Sequence, residues 1–350
     1  MIRVPAHARS LVRITALCTV AAVALASCGT SSPTSTVTPH VTGLPAISIS
    51  VPLSSVACTT DNSCVAIGTS NLDVSPTSVG EYRTLNGRWT TITVPSADTS
   101  TYIQSSSCWS DGCLFVGSQS NADLVWRYSA ASHTITVVNA PAGASGISAV
   151  SCYAAMTCAI LDAASGGSRI LFTDDGGTSW SAPQAVGVAA QDTASSLSCT
   201  SATRCIASFL NSSNGILVAA SVDGVTPWTT LTNSSTLTWG ALTSLNCVGR
   251  KCLGLAKLFT GWRIVRTDNF GKSWSKVSSL SSSILTLACA SLEHCVVGGE
   301  KDTSPWLATV VSKTVTPSKL KYVPSPIVGV ACGSKVCAAI GVTTVVTLKP

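Results

Sequence analysis

The chain has 350 residues, only 10% of them charged, and Lys plus Arg outnumber Asp plus Glu by 21 to 15. Ser, Thr, Ala and Val dominate, a composition that favours strands and turns over helices. Arg3, Arg9 and Arg13 lie at the N-terminus, leaving 18 basic against 15 acidic side chains beyond them; no basic cluster or aromatic–basic face stands out, which argues against a nucleic-acid partner.

Residues 1–13 carry three Arg and no acid, and Ile14 to Ala26 is an apolar core of signal-peptide length, too short to span a bilayer comfortably. It ends in Leu25-Ala26-Ser27-Cys28, which resembles the bacterial lipobox, where the leader is cut before a Cys whose thiol takes diacylglycerol. The resemblance implies a signal peptide over 1–27, discarding Cys18, and a lipid-modified, palmitate-bearing Cys28. Residues 28–45 are rich in Ser, Thr and Pro and without apolar periodicity, the composition of a flexible tether. Several acyl chains at Cys28 would anchor the chain stably to a membrane.

From residue 46 onward the chain repeats. A short apolar run ends in Cys, a few polar or small residues follow, and a second Cys opens another apolar run. The pairs are Cys58/Cys64, Cys108/Cys113, Cys152/Cys158, Cys199/Cys205, Cys247/Cys252, Cys289/Cys295 and Cys332/Cys337, with first cysteines 50, 44, 47, 48, 42 and 43 residues apart. Such a period marks a repeat architecture. Paired cysteines at this density imply an oxidising, extracytoplasmic compartment and one disulfide per repeat. Structural zinc is the competing reading, but it wants four ligands, usually at shorter Cys spacing and often with His; no metal or other cofactor is expected.

The third repeat shows the elements most plainly. Ile147 to Cys152, Cys158 to Asp162 and Arg169 to Thr173 read as strands, and a fourth follows the turn that ends at Trp180. Four short strands in 40–50 residues describe a propeller blade. The seventh unit lacks one strand, while residues 46–51 stand where a fourth strand precedes each next repeat. The expected fold is therefore an all-β, seven-bladed β-propeller over 46–350, with one disulfide inside each blade and residues 46–51 closing the ring in the last blade. Closure removes the exposed edges of an open sheet.

The turns between third and fourth strands carry a second pattern. Thr173-Asp174-Asp175-Gly176-Gly177-Thr178-Ser179-Trp180 resembles the Asp box of sialidase-type repeats, and Thr267 to Trp274 matches it with Asn269, Gly271 and Trp274. Asp223 and Trp228 keep the acid and the Trp with Gly shifted, and Thr84 to Trp89 is a shortened form. In each, the acid or amide is expected to bond backbone amides, Gly to supply positive φ, and Trp to pack across the turn. With the form "sC-x4-5-Cva(v/i)G", seen at Cys64–Gly68 and Cys337–Gly341, residues 46–350 resemble the BNR/Asp-box superfamily of bacterial propellers, in its actinobacterial exported form. The resemblance places cysteines and Asp boxes together on a structural face. It places ligand contacts on the opposite face, over the channel, among variable loops such as 95–101, 140–146, 163–167 and 257–261.

A catalytic set is not evident. Arg169 and Arg263, each four residues before its Asp-box Thr, read as solvated strand-end charges rather than a carboxylate-binding triad. Glu81, Glu293 and Glu300 are not paired with a Tyr or a second acid, whereas glycoside hydrolysis needs two carboxylates about 5–10 Å apart. His133 and His294 fall in turns of the structural face. The reading is a surface-anchored, monomeric bacterial lipoprotein whose propeller binds an envelope protein or polysaccharide without catalysis. The alternative is an extracytoplasmic glycosidase or lyase.

Overall fold

In the computed structural model, the described residues are 40–43, 53–68, 78–83, 88–95, 101–222, 228–231, 237, 240–320, 323 and 325–348. Leader residues 1–27, Cys28, residues 46–51 and Asp223 lie outside them. All regular structure among the described residues is β, in seven four-stranded antiparallel sheets. Six of the sheets take four consecutive strands, each paired to the next in chain order.

The seventh sheet shows how the chain closes. Gly329–Cys332, Cys337–Ile340 and Thr344–Leu348 are joined by His40–Gly43, which pairs antiparallel with the last strand, His40 opposite Thr347 and Gly43 opposite Thr344. The closing strand is thus His40–Gly43, not residues 46–51, and it takes four residues that the Ser/Thr/Pro-rich composition assigns to the tether. Composition misleads here because a fourth strand lies at the outer edge of its sheet, where β-propensity is weakly constrained by packing.

The apolar core lies between sheets. Alternating strand residues leave each sheet on both faces, and each of seven buried clusters joins side chains of two neighbouring sheets. One cluster joins the last sheet to the first, with Ala338, Ile340 and Val345 against Leu53, Val56 and Ala66. Sheets that lean face to face around a ring, each sharing its core with both neighbours, define a β-propeller. The fold is an all-β propeller.

Every cysteine pair forms a disulfide between the first and second strands of its sheet, with Cα–Cα distances of 3.9 to 4.1 Å. Cys58 bonds Cys64, Cys108 bonds Cys113, Cys152 bonds Cys158 and Cys199 bonds Cys205. Cys247 bonds Cys252, Cys289 bonds Cys295 and Cys332 bonds Cys337. In each case the two cysteines face each other across the ladder. No cysteine of these pairs is left to ligate zinc.

The second cysteine of each pair is interior. Cys64, Cys113, Cys158, Cys205, Cys252, Cys295 and Cys337 are at most 2% exposed. Each belongs to one of the clusters between sheets: Cys113 packs with Phe115 and Tyr128, Cys205 with Leu197 and Phe209, and Cys295 with Leu287 and Val297. The reason is that a second strand is covered on both sides by neighbouring sheets, so the half-cystine that opens it becomes a core residue. These disulfides therefore act as packing as well as cross-links.

Candidate functional site: the central channel and its two ends

The first strand of each sheet is its innermost. Together these strands line a central channel of about 630 Å³ that runs past the first cysteine of every disulfide. The disulfides are therefore part of the channel wall, not confined to a face away from it. The register puts the Thr173–Trp180 and Thr267–Trp274 turns at the same end, since Cys158 pairs with Thr173 and Cys252 with Thr267.

At that end the turns are built from matching bonds. Thr173 Oγ1 donates to Asp175 Oδ1 (2.8 Å) and accepts the Gly177 N–H (2.9 Å). Asp175 also accepts the Ser179 N–H (2.9 Å) and hydroxyl (2.6 Å). In the fifth sheet Asn269 Oδ1 accepts from Thr267 Oγ1 and from the Ser273 N–H, both at 2.9 Å, and its Nδ2 donates to Ser273 Oγ (2.8 Å). The amide thus repeats the pattern of the acid. The Ser179 and Thr173 bonds hold the Asp175 carboxyl down to about 2, so it stays ionised at neutral pH and is no proton donor. Gly177 and Gly271 take φ of 90° and 88°. A Cβ on Gly271 would meet Ile206 Cδ1 of the preceding sheet at 2.7 Å.

The tryptophans do more than pack across their turns. Trp89, Trp180, Trp228 and Trp274 each join the cluster shared with the preceding sheet. Trp274, for example, packs with Ile206 and Val218. Trp180 donates its indole N–H to the Asn139 carbonyl of the second sheet at 2.9 Å.

At the opposite end, Arg169 is not a solvated charge. Its Nε donates to Asp162 Oδ2 at 2.7 Å, and Asp162 is fully buried. Its Nη2 bonds the Gly143 carbonyl. Asp162 also accepts the Ser145 N–H (3.2 Å), while Asp123 of the second sheet accepts the N–H groups of Gly146 (2.8 Å) and Ile147 (3.1 Å). Burial pushes the Asp123 carboxyl above its usual range against those two bonds, and the Asp162 charge adds to the rise. These neighbouring carboxylates fix the 140–146 connection. Among the described residues, Arg263 bonds the Thr260 hydroxyl at 3.1 Å. Glu293 accepts from Ser312 Oγ (2.6 Å) and lies 3.6 Å from Arg266 of the fifth sheet; the Ser312 bond, then the Arg266 charge, lowers its carboxyl. His133 Nδ1 lies 3.4 Å from Tyr128 Oη, and His294 Nδ1 lies 3.3 Å from Ser291 Oγ. The bonds seen here join none of Arg169, Arg263, Glu293, His133 and His294 to another of them. Glu81 lies on the third strand of the first sheet, opposite Val65 and Thr90, and Glu300 pairs with Pro305 in the sixth sheet.

The serines beside the cysteines are the residues that motif reasoning passes over. Ser107, Ser151 and Ser198, each just before a first cysteine, accept the N–H of Cys152, Cys199 and Cys247 in the next sheet at 2.9, 2.9 and 3.1 Å. Ser105 and Ser196 accept the N–H of Val150 (3.2 Å) and Leu245 (3.0 Å) one step along. An inner edge strand leaves alternate amides without a ladder partner, and these hydroxyls satisfy them across the gap between sheets. The recurrent Ser-Cys dipeptide is the signal in the sequence.

Comparison with known proteins agrees on architecture. No protein-family model matches the chain, and no curated protein matches it. Among solved structures it is similar to YCF48 bound to D1 peptide, with a TM-score of 0.63 and 14% identity over 89% of this chain and 95% of that one. It is similar to virginiamycin B lyase from Staphylococcus aureus, TM-score 0.63 and 10% identity over 90% and 99% of the two chains. It is also similar to the GH74 xyloglucanase from Xanthomonas campestris, TM-score 0.62 and 11% identity over 88% of this chain and 53% of that one. At these identities the likeness is one of fold. The seven disulfides suggest an oxidising, extracytoplasmic environment.

Proposed function

We propose that the protein is a monomeric, lipid-anchored bacterial surface protein whose closed seven-bladed propeller holds an envelope protein or polysaccharide without transforming it. The observation that carries this reading is the chemistry of the channel wall: among the described residues that line it, none is Asp, Glu, His, Lys or Arg. Acid–base catalysis in the channel would need such groups. Asp123 and Asp162, which share the 140–146 connection, are committed to backbone N–H groups and to Arg169, which disfavours them as the acid–base couple of a glycosidase or lyase. The fold by itself favours neither class, since its neighbours include a peptide complex and a xyloglucanase.

The turns at Asp175 and Asn269 support membership of the BNR/Asp-box superfamily. The lipobox-like Leu25–Cys28 after an apolar core supports the anchor. His40, opposite Thr347 and one residue from the partner of Cys337, enters the last sheet at its disulfide end.

Labelling cells with an alkyne analogue of palmitate, followed by crosslinking and capture from the native envelope, tests both parts. Label lost in Cys28→Ala and a saturable captured component support the reading. Equal label in Cys28→Ala removes the anchor, and hydrolysis of an envelope polysaccharide by the purified protein overturns the non-catalytic assignment.

A further inference from the structure

Beyond its clasped serines, the channel carries re-aimed polar side chains from five of the seven sheets. The innermost strands of the first four sheets each contain a bulge at the same place, with Ser54, Gln104, Ser148 and Ser195 as the extra residues; the fifth has its bulge at Ser244, and the sixth has one between Ile284 and Thr286. The four serines and Gln104 line the channel. A bulge turns a side chain out of the ladder's alternation and is common beside binding sites. Two residues before Gln104, at the start of the same strand, Tyr102 is 61% exposed.

The chemistry of this wall is specific. Ser105, Ser107, Ser151, Ser196 and Ser198 each accept a backbone N–H, which leaves the single O–H donor of each hydroxyl for another acceptor. Accepting one bond polarises a hydroxyl toward donating the next. Apolar residues such as Val56, Ala149, Leu197, Leu287 and Val330 alternate with these hydroxyls around the wall, and none of the described lining residues is charged.

From this we infer that the channel, from Gln104 near the exposed start of its strand at Tyr102 down the line of serines, binds a neutral oligosaccharide. A sugar ring has hydroxyl oxygens at its rim and C–H groups on its faces, matching serine donors interspersed with apolar side chains. An anionic ligand would find no counter-charge. The cavity of about 630 Å³ falls within the usual range for small-ligand sites. A wall about five strand residues deep spans roughly 17 Å, enough for about three sugar rings. The inference rests on the non-catalytic binding reading and names its ligand class.

The test is titration calorimetry of the folded domain with cellotriose, maltotriose and mannotriose, beside trigalacturonate and the uncharged peptide acetyl-(Gly-Ser)3-amide. At least one neutral trisaccharide should bind. Tyr102→Ala and Gln104→Ala, at exposed positions, should each weaken it about 5- to 10-fold, and Ser195→Trp should block the channel with no loss of melting temperature. Phe259→Ala, at a 98% exposed aromatic away from the channel lining, should change nothing. Failure of all three sugars, equal binding of trigalacturonate or the peptide, or indifference to Tyr102→Ala and Gln104→Ala overturns the inference, even where Ser195→Trp does not fold. If no sugar binds but envelope capture succeeds, the channel assignment falls and the scaffold stands; if a sugar binds and capture yields nothing, the reverse holds.

Discussion

Trp180 and Asn139 belong to different sheets, yet the indole N–H of the first lies 2.9 Å from the carbonyl of the second. A turn that reads as local in sequence is therefore also a joint between neighbours. Arg127 Nη1, also of the second sheet, bonds the Asp175 carbonyl at 3.3 Å, so the joint is held from both sides.

The joint should dominate the cost of losing these tryptophans. Trp274 is 6% exposed and packs on Ile206, Ile216 and Val218 of the fourth sheet. Trp274→Ala should cost about 3–5 kcal/mol, read from urea unfolding with disulfides intact. A loss below about 1 kcal/mol would mean that the indole only shields its own turn.

The acid and the amide should be exchangeable. Asn269 reproduces the bonds of Asp175, so Asp175→Asn should be nearly neutral at pH 7 while Asp175→Ala loses on the order of 1–2 kcal/mol. The native carboxyl ionises at about 2, below roughly 3.9 in an unfolded chain. Its contribution is complete above that unfolded value and fades as pH falls from about 4 toward 2. Melting temperatures from pH 5 to pH 2 should therefore fall less steeply for Asp175→Asn than for the wild type; parallel curves would refute the assignment.

Each serine clasp should protect one amide. Ser198→Ala removes the acceptor of the Cys247 N–H, with an expected loss of about 1–3 kcal/mol. Hydrogen exchange should quicken at Cys247 and leave Cys289 unchanged. Unaltered exchange at Cys247 would show that water serves it equally well.

Removing Arg169 should be costly because its partner is inside. Asp162 is fully buried, and Arg169→Met leaves that carboxylate without its counter-charge, for an expected loss of about 3 kcal/mol. Combining it with Asp162→Leu should recover part of the loss. A double variant no better than the single one would mean that packing by the arginine stem, not charge, is what matters.

Peptide mapping without reductant should link each cysteine to its neighbour five or six residues on. Replacing Cys152 and Cys158 together by Ala should cost about 2 kcal/mol, as the loop closed is short. A bridge between repeats would contradict the hairpin pairing.

Much of the fold is legible in the sequence because it is local and repeated. Cysteine spacing, strand alternation and the Thr173–Trp180 and Thr267–Trp274 turns depend on residues within one hairpin, so the chain states them directly. Arg169 is harder to read because its partner, Asp162, sits on the neighbouring strand as an unremarkable acid. The burial of Cys113, Cys205 and Cys295 is equally hidden, since it depends on the sheet that closes over each strand. The closing strand lies several residues from its expected place because an outer edge strand has few packing constraints to betray it.

The amino-acid sequence by itself determined the all-β class, the repeat, the pairing of cysteines within each hairpin and the chemistry of the turns, since each follows from contacts only a few residues apart. Only the tertiary structure decided what lies between repeats: that His40–Gly43 completes the last sheet, that Trp180 and Trp274 pack on the preceding sheet, and that serines beside the cysteines clasp the next sheet and line a channel whose described residues are uncharged. Those contacts join residues about 40 to 300 positions apart, and a register across such distances is set by how the sheets lean together, which no single repeat encodes.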